Sequence, residues 1–251
     1  MTLDNIFSFY KTNQFTKALE AIKKTEIKSS KLYNLEGMVY HKLKQINNSI
    51  TSFKKSIQLN KTLLEPRVNL GILYYQNNKL DLSYNELLNC NKIDANNAIV
   101  NFYLGRLKIQ RFNDLEESEV YYLKSILLSN NTMFINELAL LYFKKSRFKD
   151  AIFFFNKSLV LKFQKELLFY ISKSYISLNM INKSFDFLEK ILVQDPLNTE
   201  ALFLKAMNFL YTGKQSEGRD LLKKILTIDD NHSKSYFELS KIFFPLLPIK
   251  K

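Results

Sequence analysis

Two histidines and one cysteine are the side chains in these 251 residues best suited to nucleophilic or metal chemistry. A thiol attacks only when a base or cation stabilises its thiolate, and a bound metal needs several donors at helical or loop spacing. His41 has no ligand-type partner at helical spacing, and His232 stands alone after Asp229-Asp230 in a run of turn-forming residues. The first reads as a surface residue and the second as a surface or capping one. No phosphate loop of the form GxxxxGK[ST] and no GxGxxG fingerprint occurs. A hydrolase or transferase would also need paired carboxylates at a cleft or a nucleophile beside its base, and neither is legible. The expectation is a non-enzyme that holds no metal and no cofactor.

The other chemistry a sequence can advertise is charge. Thirty-seven Lys and Arg against 24 Asp and Glu give a formal +13, the footprint of a nucleic-acid binder if it were concentrated on one surface. It is scattered instead, in isolated pairs such as Lys23-Lys24, Lys54-Lys55, Lys144-Lys145 and Lys223-Lys224. The same chain is rich in Asn, Ile, Phe and Tyr, so part of its basicity reflects A/T-rich codons. Such spacing is that of solvated faces. With no apolar run of membrane-spanning or signal-peptide length and a single cysteine, the expectation is a soluble cytoplasmic protein with no membrane insertion.

Only five glycines and four prolines punctuate the chain, too few for many tight turns, while 46% hydrophobic residues suffice for a continuous core. Long helices follow. The stretch SRFKDAIFFFNKSLVL shows how they must pack. Successive helical residues point about 100° apart, so Phe153, Phe154 and Phe155 sweep more than one apolar stripe, and this helix needs neighbours on more than one side. An internal repeat supplies them. A small residue followed four positions later by a large apolar one recurs as Ala18/Ile22, Ser49/Phe53, Ser83/Leu87, Ser118/Tyr122, Ala151/Phe155, Ser184/Leu188 and Gly218/Leu222. Successive pairs are 31, 34, 35, 33, 33 and 34 residues apart. Some twelve residues earlier comes a second signature, a small residue and then an aromatic three positions on: Gly37/Tyr40, Gly71/Tyr74, Ala139/Tyr142, Ser172/Tyr175, Ala206/Phe209 and Ser240/Phe243. Gly105 keeps the small position, but Lys108-Ile109 replaces the aromatic and one extra residue follows. Each unit is two helices whose axes approach closely at the small residues. By column, Phe155 belongs to the core with Phe53 and Tyr122. Phe154 suits the seam against a neighbouring unit, and Phe153 falls with Val120 on a solvent column, where the two form a candidate contact patch. Cys90 shares its column with Thr25, Ser56, Ser125 and Ser158 and reads as a small packing residue.

This pattern resembles the tetratricopeptide repeat, a helix-turn-helix unit of about 34 residues. The resemblance covers nearly the whole chain, although the family's tryptophan position never holds Trp and only Pro196 fills its proline position. It implies an all-α, right-handed α-solenoid running through residues 1-251 as a single domain. Its seven repeats are at about 1-29, 30-63, 64-97, 98-131, 132-164, 165-198 and 199-232, and a capping helix at 233-244 follows. In solenoids of this family a second face of each first helix lines a concave groove that takes extended peptides or helices. On that face lie Val68, Ile72 and Tyr75; Phe102 and Arg106; Leu140 and Phe143; Phe169 and Lys173; Phe203 and Met207; and Phe237, Lys241 and Phe244. Asn34, Met38 and His41 precede them. The face is apolar with cations spaced along it. Three arrangements satisfy it: rings packed on one another in a tight superhelix, the tail PLLPIKK folded into the groove, or an open groove that accepts an apolar, acidic-leaning protein segment.

The family's carboxylate clamp is absent. Asn69 matches its middle Asn, but Asn34 and Met38 stand in place of Lys and Asn, and Ile99 and Tyr103 in place of Lys and Arg. The expected function is a non-catalytic protein-interaction scaffold with a protein or peptide partner. Two alternatives are an RNA-binding helical-repeat protein, whose base-reading code Val68, Phe102, Phe169, Phe203 and Phe237 fit badly, and a substrate-docking module for a separate glycosyl- or sulfotransferase.

Overall fold

The structure, a computed structural model, describes residues 2–243. Among the described residues there are fifteen α-helices and no strand. They fall into two compact units, which meet in sequence between Asn130 and Asn131. The first unit holds α1 (Leu3–Lys11), α2 (Phe15–Lys23), α3 (Ser30–Lys42), α4 (Ile46–Leu59), α5 (Leu64–Gln76), α6 (Leu80–Ile93), α7 (Ala98–Phe112) and α8 (Leu115–Leu128). The second holds α9 (Thr132–Lys144), α10 (Phe148–Leu161), α11 (Lys165–Ser177), α12 (Ile181–Gln194), α13 (Thr199–Tyr211), α14 (Gln215–Ile228) and α15 (Ser233–Phe243). Phe244 of the first-helix face and the tail PLLPIKK lie outside the described residues.

Within each unit the helices pair as the small residues require. Every small/large pair on the second helices, from Ala18/Ile22 to Gly218/Leu222, is buried. The small residues are where the axes meet: Ser49 Oγ donates to the Gly37 carbonyl at 2.7 Å and Ser83 Oγ to the Gly71 carbonyl at 2.8 Å. A Cβ on Gly37 would stand 2.6 Å from the Phe53 ring, so any larger residue there pushes the pair apart. In exchange Phe53 loses nearly all contact with water, a burial that stabilises by about 1.5 to 3 kcal/mol for such a side chain. The triple phenylalanine resolves by column: Phe155 is 0% exposed, Phe154 half-buried and Phe153 64% exposed.

The turn inside each pair has one geometry. Asn13, Lys44, Asn78, Asn113, Ser146, Asn179 and Gly213 all adopt left-handed φ, between 52° and 80°, five residues before the small residue of the following helix. The next N–H reaches back to a carbonyl in the last turn of the preceding helix, as in Gln45 to Tyr40 (2.9 Å), Lys79 to Tyr74 (2.9 Å) and Arg147 to Tyr142 (2.8 Å). This is the Schellman cap, which satisfies otherwise orphaned carbonyls and reverses the chain in three residues. Asn or Gly stands at five of the seven positions, as the left-handed conformation favours. Where the aromatic is missing, Lys108 pairs with Glu117 and lies over the rings of Tyr84 (5.3 Å) and Phe112 (4.9 Å). Its long stem fills the space an aromatic would occupy, and its charge is answered by one carboxylate.

Candidate binding cleft on the first-helix face

The odd-numbered helices of the first unit each turn one stripe away from their paired helix. Between α1, α3, α5 and α7 these stripes leave a cleft in two adjoining lobes of about 230 and 570 Å³. Phe7, Asn34, Met38 and Glu65 border both lobes. The larger continues past Val68 and Asn69 to Ile99, within the size range of sites that hold small ligands or anchor side chains. Its floor is apolar. Phe7 remains 37% and Ile99 46% exposed; the Lys11 ammonium lies 4.8 Å over the Phe7 ring, which stacks on Tyr10 at 6.0 Å.

Polar groups are placed around that floor. Asn69 Nδ2 donates to Asn34 Oδ1 at 3.0 Å, linking α5 to α3. Whichever way each amide is turned, the pair keeps at least one N–H and one carbonyl uncommitted, the two functions an extended peptide backbone needs. Asp94 closes α6, borders the larger lobe and accepts from the Asn96 N–H through Oδ1 (2.9 Å). Asp4 and Glu65 have no ion-pair partner among the described residues, and Lys31 is the cation in the smaller lobe.

The structure distributes the sequence-derived face residues unevenly. In the first unit Val68 borders the cleft but is 7% exposed, while Ile72 packs on the cluster of Leu104 and Leu107. Phe102 is wholly buried, 5.3 Å from the Tyr103 ring and 5.8 Å from Tyr122, so the ring expected on the open face sits in the core. Arg106 lies over both Phe102 (5.6 Å) and Tyr75 (5.2 Å), with Tyr75 edge-on to Tyr103. In the second unit Leu140 and Met207 are half-buried. Phe143 is held between Phe148 and Tyr170, and Phe169 packs on the Leu168 and Leu188 cluster. Phe203 lies 5.5 Å from His232, with Lys234 over it at 5.9 Å. The cations spoken of as spaced along the face are engaged: Lys173 Nζ meets Glu200 Oε1 at 2.9 Å, and Lys241 meets Glu238 at 2.9 Å while lying 4.1 Å over Phe237. Among the described apolar residues of this face, Phe237 alone is more than half exposed. A further cavity of about 320 Å³ in the second unit is polar, bordered by Asn136, Lys162 and Gln164.

Sequence reasoning missed Leu3 and Phe7, because the opening helix was left out of the face, and Glu65, the second residue of α5; it met Ile99, the second residue of α7, only as a departure from the carboxylate clamp. The signal was available, since a residue three before Val68 or Phe102 shares a helical face with it. The residues first considered for catalysis have structural work. His232 Nδ1 accepts from the Ser235 N–H (3.2 Å) and contacts Ser235 Oγ (2.8 Å), capping α15. His41 is half-buried, and burial, reinforced by Lys42 and opposed by a bond to Gln76, holds it below the ordinary imidazole value. Cys90 is fully buried, and burial, with Glu86 adding, pushes its thiol up to about 12. Among the described residues no three His, Cys, Asp or Glu side chains gather as a metal site, and no helix is long and apolar enough to cross a membrane.

Antiparallel helix pairs with a small-residue seam, a left-handed turn in each pair and a side-chain-lined face on the first helices define a helical-repeat protein. Residues 30–63 match the sequence profile of the tetratricopeptide repeat family, and a helix pair of the same kind recurs through both units. No curated protein matches the sequence. Among solved structures, the C-terminal part of a tetratricopeptide repeat protein from Cytophaga hutchinsonii is 16% identical with a TM-score of 0.75, covering 95% of this chain and 99% of that one. YrrB, described as a tetratricopeptide repeat protein with an unusual peptide-binding site, is 17% identical with a TM-score of 0.68, covering 75% of this chain and 97% of its own. PilF of Pseudomonas aeruginosa is 14% identical with a TM-score of 0.66, covering 85% and 97%. At these identities the likeness is one of fold.

Proposed function

We propose that this chain is a non-catalytic protein-interaction scaffold and that its binding surface is the cleft between α1, α3, α5 and α7. The observation that carries this reading is the cleft's construction. It has an apolar floor with Phe7 and Ile99 exposed to solvent, beside an Asn34–Asn69 amide pair with donor and acceptor to spare. Apolar side chains of a protein segment would fill the lobes, and its backbone would bond the amides. The peptide-binding site ascribed to YrrB, on the same fold, supports the choice of ligand class.

The test is selection of a random peptide library on the full chain, followed by affinity measurement on the enriched sequences. Ile99→Asp and Phe7→Asp each place a charge on the floor without opening the core. Both are expected to weaken the selected peptides by about tenfold or more, equivalent to about 1.4 kcal/mol, with the thermal midpoint unchanged. Peptides that bind wild type and both variants alike would place the binding surface elsewhere.

A further inference from the structure

We infer that the segment held by this cleft is cationic as well as apolar, with a lysine or arginine docked on Glu65. The inference rests on the cleft being the binding surface. It starts from register. Glu65 is the second residue of α5 and Met38 the ninth of α3; Glu200 is the second residue of α13 and Lys173 the ninth of α11. The two pairs are related by the repeat. In the second unit Lys173 reaches Glu200 at 2.9 Å, and Lys234 approaches its other oxygen at 3.9 Å. In the first unit the place of the lysine is taken by a thioether that carries no charge, and Glu65 has no ion pair among the described residues.

Glu65 shares this lack of an ion pair among the described residues with Asp4, Glu20, Glu26, Asp94 and Asp114 of the first unit. With 37 Lys and Arg available, other carboxylates of the first unit find cations: Glu36 with Lys28, Glu86 with Arg67, Asp81 with Arg111 and Glu117 with Lys108. The cleft gathers Asp4, Glu65 and Asp94 against Lys31, with Lys11 over Phe7 at its edge, so acidic groups outnumber basic ones there on a molecule of formal charge +13. Desolvation decides the ligand. A segment that seats apolar side chains on Phe7, Met38 and Ile99 strips water from Glu65, and a carboxylate stripped of water without a counter-charge is costly. A neutral segment meets that cost, an acidic one adds repulsion, and a cationic one replaces the water with a charge-assisted hydrogen bond. This reverses the acidic leaning expected from sequence, because the cations on which it relied are engaged within the chain.

The experiment compares three synthetic peptide sets sharing one apolar pattern and differing only in two charged positions: Lys, Glu or the neutral Gln. Each is titrated against the full chain and against Glu65→Lys, Met38→Lys and Ile99→Asp, with circular dichroism and thermal midpoint confirming each fold. The Lys set is expected to bind at least about tenfold tighter than the Gln set, the advantage shrinking as salt rises past physiological strength. Glu65→Lys should reverse the preference toward the Glu set. Met38→Lys, which supplies the pairing of Lys173 and Glu200 internally, should cancel it independently. If Gln or Glu peptides bind as well as Lys peptides and Ile99→Asp still weakens them, the cationic inference is overturned and the cleft stands. If no set responds to Ile99→Asp, the cleft itself is overturned and this inference with it.

Discussion

Between α3 and α5 the facing positions hold Met38 and Glu65; between α11 and α13 the equivalent positions hold Lys173 and Glu200. The helices, their small-residue seams and their left-handed turns are of one kind in both units, so the difference lies in side chains that packing does not dictate. Along α11 and α13 the second unit ties down its first-helix face, with an ion pair at Glu200 and the Phe203 ring against His232, and Phe237 on α15 stays exposed. Along α1 to α7 the first unit leaves large apolar side chains and a carboxylate open. A repeat fold thus fixes where a face is and leaves its use to a few positions per repeat.

The largest expected effects test whether the cores are indeed alike. Phe102 and Phe155 are both 0% exposed, one in each unit. Phe102→Ala and Phe155→Ala should each destabilise by about 3 to 5 kcal/mol through the cavity left behind. Denaturant unfolding measures the loss. Were Phe102→Ala to change affinity for selected peptides while leaving stability intact, Phe102 would belong to the cleft and the contrast between the units would fail.

Next come the half-buried rings of the second unit. Phe169→Ala and Phe203→Ala remove rings that pack on neighbouring helices, and each should cost about 1.5 to 3 kcal/mol. Ile99→Ala in the first unit, removing a half-exposed chain from the cleft floor, should stay within about 0.5 kcal/mol. Paired measurement of midpoint and affinity sharpens the comparison, since a ring that closes a face lowers stability when lost and an open floor residue lowers binding.

How much of this was legible follows from the same distinction. The all-α repeat fold could be read because burial columns recur: a small residue and a large one four positions on leave the same trace whether the pair is Ser49/Phe53 or Ser184/Leu188. Phe153, Phe154 and Phe155 were separable by column for that reason. The cleft was harder. Phe102 and Val68 lie in the column of solvent-facing candidates, yet Tyr103, Tyr122 and Arg106 close over Phe102, and no single-helix pattern records what the neighbouring helix brings. The pairing of Lys173 with Glu200 spans 27 residues and becomes visible only when the ninth column of one repeat is set against the second column of the next. The Schellman turns were half legible, since Asn and Gly announce five of them while Lys44 and Ser146 do not.

A smaller effect separates the two carboxylates. Burial alone would raise the Glu200 carboxyl, but the hydrogen bond and charge of Lys173, with Lys234 and His232, hold it below the ordinary value. A carboxyl depressed on folding adds stability above its unfolded pKa, about 4.3, and loses it as the pH falls through the folded value. The pair is partly exposed, so its contribution is less than about 1 kcal/mol. Glu200→Gln should therefore lower the midpoint slightly at neutral pH, and the difference from wild type should vanish as the solution is acidified below that range. Glu65→Gln, with no internal cation to lose, should leave the neutral-pH midpoint where it was. A midpoint loss at Glu65 equal to that at Glu200 would mean that both faces are closed by the same device.

The smallest effect concerns the opposite side of each unit. Phe153 on α10 is 64% exposed and Val120 on α8 is 65% exposed, at the same repeat position. Phe153 touches Phe154 edge-on at 5.1 Å, while Phe155, two residues on, stacks on Tyr170 at 5.5 Å and is shut away from water. A ring already mostly hydrated has little burial to lose. Phe153→Ser and Val120→Ser should each stay within about 0.5 kcal/mol of wild type, and neither should alter peptide affinity, because neither borders the cleft. Phe153→Ser placed beside Phe155→Ala in one unfolding series makes the register itself measurable: two substitutions two residues apart, one nearly silent and the other costing several kcal/mol. Comparable losses at both would mean that α10 is rotated from the position that buries Phe155. The column argument that places Met38 opposite Glu65, and Lys173 opposite Glu200, would then lose its basis.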